Sequence, residues 1–309
     1  MSISAYIKEI GRGSAGARSL SSDQAADLMA QVLDRHVTDL EIGGFALAMR
    51  IKGETCDELI GFDQALGQRL LRIVSDLPVV VIPSYNGARR LPNLLPLLAL
   101  QLARSGLRVL VHGPLSDPAR VTSAEIFQAL SLPPCDDVSM VAAAWQRAQP
   151  AFVATSVLSP TLQRLLDVRR VVGLRNSGHT MAKLVNPIHG AAAFRLASHT
   201  HPEFGKLMAE FAERTRASMM LLRGTEGEAV ADPRRAPRLE VWRDGLRDPA
   251  LCSAAQEGPL THLPALPSAI DANTVAAYIR SVMAGEANLP APLRRQSDTV
   301  VKAVASLAS

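Results

Sequence analysis

The sequence changes character at Pro78, and this change restricts the folds that the chain can adopt. Over residues 1–74 the apolar positions recur at helical spacing, and no convincing strand is predicted before Pro78. The β-branched run 79–82 then begins a succession of strands, loops and helices, and similar short runs follow at 109–111, 193–196 and 219–222. Such alternation predicts a mostly parallel sheet flanked by helices. The fold class is therefore α/β, with a small all-helical domain and a large sheet domain.

Residues 159–187 interrupt this alternation, because two helix-like stretches follow one another there without a strand between them. We therefore assign residues 1–74 to the helical domain, with inserted helices over about 159–187. Residues 75–158 and 188–309 form the large α/β domain. A chain of 309 residues is long enough for two such units.

Composition favours a globular protein of the cytoplasm. Hydrophobic residues make up 48% of the chain and charged residues 20%, which excludes a disordered chain. The longest apolar stretch without charge, residues 91–103, contains two prolines and is shorter than the about 18 residues of a membrane helix, so no membrane association is predicted. No secretory signal is visible at the N-terminus. Three widely spaced cysteines exclude a disulfide framework and indicate a reducing compartment.

Positive charge is concentrated in two segments. Residues 164–206 carry seven basic and two acidic side chains, a net +5, although the whole chain is only +4. Residues 234–247 carry five arginines and two acidic residues. Such segments favour contact with nucleic-acid phosphates, the alternative being an ordinary solvated face. Aromatic residues are only 4% of the chain, which favours contact with phosphates over stacking on bases.

Three loops follow predicted strands, at 83–90, 112–114 and 223–228, and ligands of open α/β sheets gather at such loops. The order of the elements and of these loops resembles the anthranilate phosphoribosyltransferase family, glycosyltransferase family 3. The resemblance covers most of the chain, including the helical N-terminus and the inserted helices. It implies a substrate cleft that binds a phosphoribosyl diphosphate together with magnesium.

The residues of that cleft match the family only in part. The enzymes cradle the diphosphate in a Gly-Thr-Gly-Gly-Asp loop through backbone amides. Residues 83–87 here read Pro-Ser-Tyr-Asn-Gly, in which Pro83 lacks a donor amide and Tyr85 is bulky. Leucines 94–95 replace a hydroxyl pair of the next motif. The resemblance places the degenerate ligand cleft at Ser84, Asn86, Gly87, Asn93, His112, Gly113, Arg120 and Arg175.

The acidic motif also departs from the family. In the enzymes an adjacent Asp-Glu pair holds magnesium, whereas Glu226 and Glu228 are separated by a glycine here. Two carboxylates can still hold a hard cation, or they can instead bind loop amides or pair with arginines. We predict no catalytic residue, no resident cofactor and no metal site, with magnesium at Glu226 and Glu228 as the alternative. His112 is expected to be a hydrogen-bonded structural residue.

The combination of loop sequences is most similar to a subgroup of this family, the YbiB-type proteins. This resemblance implies a homodimer, joined through the helical domain, that binds DNA over a basic surface without sequence preference. The candidate nucleic-acid-binding residues are Arg175, Lys183, Arg195, Lys206, Arg89, Arg90, Arg234, Arg235 and Arg238. The alternatives are an active phosphoribosyltransferase with an altered acceptor and a non-catalytic sensor of a small molecule.

Overall fold

The computed structural model describes residues 2–13, 15–260 and 263–307, which fall into two compact units. The first unit contains Met1–Leu71 and Thr155–Pro187, and the second contains Arg72–Ala154 and Ile188–Ser309. The first division of the chain falls three residues before the expected boundary at 74, and the second falls four residues before the expected start of the insertion at 159.

Helices and strands alternate along the second unit, whereas the first is helical. In chain order, the helices of the described residues are α1 (Ser4–Ile10), α2 (Ser22–Leu33), α3 (Asp39–Lys52), α4 (Cys56–Gly67), α5 (Leu95–Arg104), α6 (Ser123–Ala129), α7 (Val138–Gln146), α8 (Thr155–Leu158), α9 (Pro160–Val172), α10 (Ser177–Met181), α11 (Pro202–Arg214), α12 (Ala272–Ala284) and α13 (Ala291–Ala305). The strands are β1 (Ile73–Val74), β2 (Val79–Pro83), β3 (Arg108–Gly113), β4 (Ala151–Ala154), β5 (Ile188–His189), β6 (Ala193–His199), β7 (Ser218–Arg223), β8 (Leu239–Arg243) and β9 (Leu246–Arg247).

The helical unit begins its helices with side-chain caps. Capping boxes start α2, α3 and α4, each formed by a Ser or Thr and the Gln or Glu three residues later. Phe45 of α3 and Phe62 of α4 meet edge to face in the core, with ring centroids 6.1 Å apart. The inserted α9 begins at Pro160, where a missing amide costs nothing, and is followed by Gly173, whose φ of 76° ends the helix.

The second unit is built on a seven-stranded sheet of order β4-β3-β2-β6-β7-β8-β9. The first five strands are parallel, and β8 and β9 extend the sheet in antiparallel fashion. Every residue of β2 is buried, as expected for a central strand covered on both faces. Because the parallel strands share one direction, the loops that follow β2, β3, β6 and β7 meet at one edge, called the carboxyl edge below.

The prediction that no strand precedes Pro78 is wrong. Strand β1 pairs in parallel with β5, with Ile73 opposite Ile188 and Val74 opposite His189. The two strands lie more than a hundred residues apart in the chain. The spacing of apolar residues near β1 could therefore not predict that β5 supplies its hydrogen bonds.

The most apolar stretch of the chain becomes a core helix. Residues 95–104 form α5, and its buried leucines pack into the core of the second unit. No helix within residues 2–13, 15–260 and 263–307 is long and apolar enough to cross a membrane.

Candidate functional site

A tight turn after β7 brings two acidic side chains to the carboxyl edge. The amide of Glu228 donates to the carbonyl of Thr225 at 2.9 Å, and the two central residues, Glu226 and Gly227, have φ of 51° and 90°. Positive φ at both central positions is the pattern of a type I′ turn. We call residues 225–228 the acidic turn.

Glu228 binds the loop that follows β2. Its side chain is 2% exposed, and Oε1 accepts the backbone amides of Asn86 and Gly87, each at 2.6 Å. The Asn86 side-chain amide in turn donates to the carbonyl of Gly227 at 2.7 Å. A Cβ at Gly227 would lie 2.6 Å from Asn86 Nδ2, and the φ of 90° also favours glycine at this position. The β2 loop is therefore bound to the acidic turn.

Glu226 makes the corresponding contacts one step further along the same loop. Its Oε2 accepts the amide of Arg89 at 2.6 Å, and both of its carboxylate oxygens lie 3.1 Å from the amide of Arg90. Backbone amides that converge in a loop form a binding site for anions. In this chain the anions that these amides bind are the protein's own carboxylates.

The two carboxylates do not fit a magnesium site. Magnesium requires near-octahedral oxygen ligands, and in nucleotide and diphosphate sites it shares them with substrate phosphates. Here Glu226 and Glu228 direct carboxylate oxygens at amide hydrogens of the β2 loop. Of the three possibilities that the sequence left open for these residues (a cation, loop amides or arginine partners), the structure has the one in which they bind loop amides. Within the described ranges of the chain, no group of three or more His, Cys, Asp or Glu residues could hold a metal ion.

Two other polar residues of the expected cleft, Ser84 and Asn93, bond to neighbouring residues of the protein. Ser84 Oγ donates to Ser123 Oγ at 2.7 Å, and Asn93 Nδ2 donates to the same oxygen at 2.9 Å. Asn93 Oδ1 accepts the amide of Leu95 at 3.1 Å. A Cβ at Gly113 would lie 1.9 Å from the carbonyl oxygen of Ser84, so this glycine allows the loops after β2 and β3 to touch. Packing between the loops therefore accounts for the positions of these residues.

His112 is a buried neutral base. It is 1% exposed, and burial lowers its pKa from 6.5 to about 3. Its Nδ1 lies 2.9 Å from the hydroxyl of Tyr85, and the two rings meet edge to face with centroids 5.5 Å apart. The expected structural role of His112 therefore agrees with its surroundings, and Tyr85 packs against it.

Arginine side chains remain exposed around this closed loop. Arg89 and Arg90 point their side chains to solvent while their amides bind Glu226. Arg120 is half-buried, with Nη1 3.5 Å from the carbonyl of Gly87. Arg223, at the end of β7, is exposed at the same edge. Arg223 was absent from the predicted set, although its place directly after a buried apolar run was a usable signal.

Arg195 was predicted to bind nucleic acid at the surface, but its side chain is buried. It lies on the central strand β6 and is 7% exposed, with its guanidinium 5.7 Å from the centroid of the Phe211 ring. A side chain that packs on an aromatic ring inside the unit does not present its charge to a phosphate. Lys206, on α11, is exposed as predicted for a surface contact.

The arginines of the second basic run are engaged within the protein. Arg234 pairs with Asp232 at 2.7 Å, and Arg238 pairs with Glu240 at 2.9 Å. Arg235 donates to the carbonyl of Gln256 at 3.3 Å. Ion pairs formed within the fold reduce the charge available to a ligand, so this run contributes less positive potential than its composition suggests.

Arg175 and Lys183 belong to the helical unit and flank the short helix α10. Both are half-buried. Burial, followed by the positive charges of Arg175 and Arg169, lowers the pKa of His179 to about 3. The inserted helices thus bring basic side chains together around a neutral histidine. Of the predicted basic residues, Arg175 and Lys183 therefore lie in the helical unit, and the others lie in the sheet unit.

Comparison with known proteins gives the fold and a family. Residues 4–69 match the model for the glycosyl transferase family, helical bundle domain. YbiB of Escherichia coli K12 is 39% identical over 295 residues, which cover 94% of this chain and 90% of that protein. Anthranilate phosphoribosyltransferase of Methanopyrus kandleri is 28% identical over 183 residues, 59% of this chain. The chain matches only 53% of the length of that enzyme.

Solved structures show the same architecture. The anthranilate phosphoribosyltransferase of Thermus thermophilus superposes with a TM-score of 0.70 at 21% identity, covering 98% of this chain and 88% of that one. The Saccharomyces cerevisiae enzyme in complex with PRPP and Mg gives a TM-score of 0.72 at 14% identity, with the same coverage of both chains. At such identities the likeness concerns the fold alone.

Proposed function

The chain belongs to the family of YbiB, which has the glycosyltransferase family 3 fold. From this membership we propose that the protein is a homodimer and that it binds nucleic acid without sequence preference. The observation that carries the proposal is the set of hydrogen bonds at the carboxyl edge between the carboxylates of the acidic turn and the amides of the β2 loop. The acidic turn occupies the amides of the β2 loop, while the side chains of Arg89 and Arg90 on that loop extend to solvent. The loop thus offers arginine side chains to an anion instead of backbone amides.

Exposed guanidinium groups suit a polymer of phosphates. Each one that neutralises a phosphate releases condensed counterions, which gives affinity without reading the bases. Arg89, Arg90 and Arg223 supply such groups in the sheet unit. In the helical unit, the half-buried Arg175 and Lys183 beside α10 add positive charge. A homodimer doubles the number of contacts. The cytoplasm, which the three cysteines outside any disulfide favour, is the compartment that we propose.

The same contacts argue against phosphoribosyl transfer. That reaction needs a diphosphate leaving group neutralised by amides and by magnesium. The amides of Asn86, Gly87, Arg89 and Arg90 already bind carboxylates, and those carboxylates are the residues that would have held the metal. We therefore propose that the scaffold is catalytically degenerate.

The helical unit offers an apolar surface for the proposed dimer. Leu40, Leu47 and Ile51 lie at seven- and four-residue spacing on α3, and Leu40 and Ile51 are 86% and 70% exposed. Val171, near the end of α9, is 89% exposed. Large exposed apolar residues that recur along one helix are typical of protein–protein contacts.

The test of nucleic-acid binding is fluorescence anisotropy with labelled 30-mers. Two unrelated sequences, each single-stranded and as a duplex, are titrated with the protein across a salt series. We expect equal affinity for both sequences and a steep fall of the association constant with salt, whose slope counts the phosphates contacted. Absence of binding at low salt, or a strong preference for one sequence, would overturn the proposal.

The second candidate is an active phosphoribosyltransferase with an altered acceptor, which the resemblance to anthranilate phosphoribosyltransferases favours. A donor that binds the folded chain raises its unfolding temperature. Phosphoribosyl diphosphate at millimolar concentration with magnesium is therefore added in a thermal denaturation experiment. We expect no shift; a rise that depends on magnesium would favour the enzyme.

A further inference from the structure

We propose that Glu226 is a positioning residue of the nucleic-acid site, an inference that rests on the function proposed above. Its carboxylate fixes the backbone of residues 89–91 and thereby directs the side chains of Arg89 and Arg90 outward. An acidic residue would in this way strengthen the binding of a polyanion.

The geometry of the contact supports this role. Glu226 Oε2 lies 2.6 Å from the amide of Arg89, 3.1 Å from that of Arg90 and 3.5 Å from that of Leu91. Two of these are hydrogen bonds to a charged acceptor, and such bonds are the stronger kind. The third amide stands at the limit of hydrogen-bonding distance. Held through consecutive amides, the loop keeps its conformation before any ligand arrives.

The backbone of Glu226 points to the same conclusion independently. Its φ of 51° places a residue with a long side chain at the first central position of a type I′ turn. Asn, Asp and Gly adopt that conformation most readily. Residues whose backbone is held in this sparsely populated region are concentrated at functional sites. Here the side chain reaches a loop 137 residues earlier in the sequence.

The two possible roles of Glu226, as a simple negative charge and as a positioning residue, predict opposite changes in nucleic-acid affinity when its charge is removed. If Glu226 acts only as a negative charge beside a phosphate site, its neutralisation strengthens binding. If it holds the arginine loop, its removal weakens binding, because the arginines then lose conformational entropy when they meet the phosphates. The sign of the change therefore separates the two roles.

The experiment compares Glu226→Ala, Glu226→Gln and Glu226→Gly with wild type by anisotropy and salt titration. All three variants carry the same net charge, but only the glutamine retains an oxygen that can accept an amide hydrogen. Glycine relieves the positive φ, so this variant is expected to keep the fold even if the alanine variant does not. The matched control is Glu286→Gln, an exposed residue just after α12 that changes the net charge equally.

We expect the alanine and glycine variants to bind about three- to tenfold more weakly, with a salt slope reduced by about one contact. The glutamine variant should lie between them and wild type, and Glu286→Gln should bind as tightly as wild type or slightly more tightly. If every Glu226 variant binds as tightly as the Glu286 control, the positioning role is overturned while the proposed function stands. If wild type does not bind at low salt, the proposed function itself fails.

Hydrogen exchange gives a readout that does not depend on affinity. In Glu226→Gly, the amides of residues 89–91 should exchange faster, whereas those of strand β2 should keep their protection. Unchanged exchange at 89–91 would contradict the claim that Glu226 holds this part of the loop.

Discussion

Oε1 of Glu228 lies 2.6 Å from the backbone nitrogen of Gly87, although the two residues are 141 positions apart in the sequence. The contact joins the loops that follow two parallel strands, β2 and β7, between which only β6 intervenes in the sheet. It places a buried carboxylate against two backbone amides of the loop that follows β2.

Glu228→Ala should destabilise the sheet unit. The change leaves the amides of Asn86 and Gly87 without their acceptor, and each unsatisfied buried donor costs about 1–3 kcal/mol. We expect the free energy of unfolding in urea to fall by about 2–4 kcal/mol. Glu228→Gln, which keeps an oxygen, should lose less. Equal stability of wild type and Glu228→Ala would show that the contact contributes nothing to folding.

The layers of the fold could be predicted from the sequence because they follow from local patterns. The buried runs at 79–82 and 219–222 are strands, and the capping residues before α2 and α4 start helices. Binding of loop amides by Glu226 and Glu228 was one of the possibilities that the sequence left open. Local pattern could not give the identity of those amides, because it depends on the order of strands in the sheet.

Arg195 shows the limit of counting charges. Its segment is the most basic of the chain, and the sequence therefore predicted a surface residue. In the sheet, however, β6 is a central strand covered on both faces, and the guanidinium packs on Phe211. Charge along the sequence does not reveal whether a residue of a short strand points into the core.

Stability should depend on pH through His112. Burial lowers its pKa from 6.5 to about 3 in the folded state. Between about pH 6.5 and pH 3 the unfolded chain therefore binds a proton that the folded chain does not. The free energy of unfolding should fall as the pH drops below about 6.5, by up to about 1.4 kcal/mol per pH unit, and should not change through this group above it.

The check for this prediction is urea unfolding of wild type and His112→Gln at pH 7, 6 and 5. Glutamine does not titrate, so the variant should be less stable at pH 7 but should lose less stability toward pH 5. An identical loss in both proteins would assign the pH dependence to other groups.

Reversal of charge at the carboxyl edge should weaken nucleic-acid binding without altering its indifference to sequence. Arg89→Glu with Arg90→Glu replaces two exposed cations, and we expect the salt slope to fall by about two contacts. The control is Arg104→Glu with Arg147→Glu, which carries the same change in net charge. Arg104 is the last residue of α5 and precedes β3, and Arg147 follows α7 and precedes β4, so both lie at the opposite edge of the sheet. Equal weakening by both pairs would mean that net charge, not this edge, determines binding.

The basic cluster of the helical unit should contribute in the same way. Arg175→Glu with Lys183→Glu reverses two charges beside α10, and affinity should fall uniformly for both DNA sequences. Lys8→Glu with Arg18→Glu is the matched control, since both residues are exposed in the same unit but belong to its N-terminal segment. If the anisotropy of the Arg175 and Lys183 variant matches that of wild type, this surface does not bind nucleic acid.

Charge on the apolar stripe of α3 should dissociate the proposed dimer. Leu40→Glu with Ile51→Glu introduces two carboxylates at the most exposed apolar positions of that helix, and burying them in an interface is costly. Light scattering after size exclusion should show a dimer for wild type and a monomer for this variant. Leu246→Glu, at a residue that is 75% exposed on β9 of the sheet unit, is the control and should remain dimeric. Because the monomer contacts fewer phosphates, its salt slope should be about half that of wild type. A wild-type protein that is monomeric at micromolar concentration would contradict the dimer.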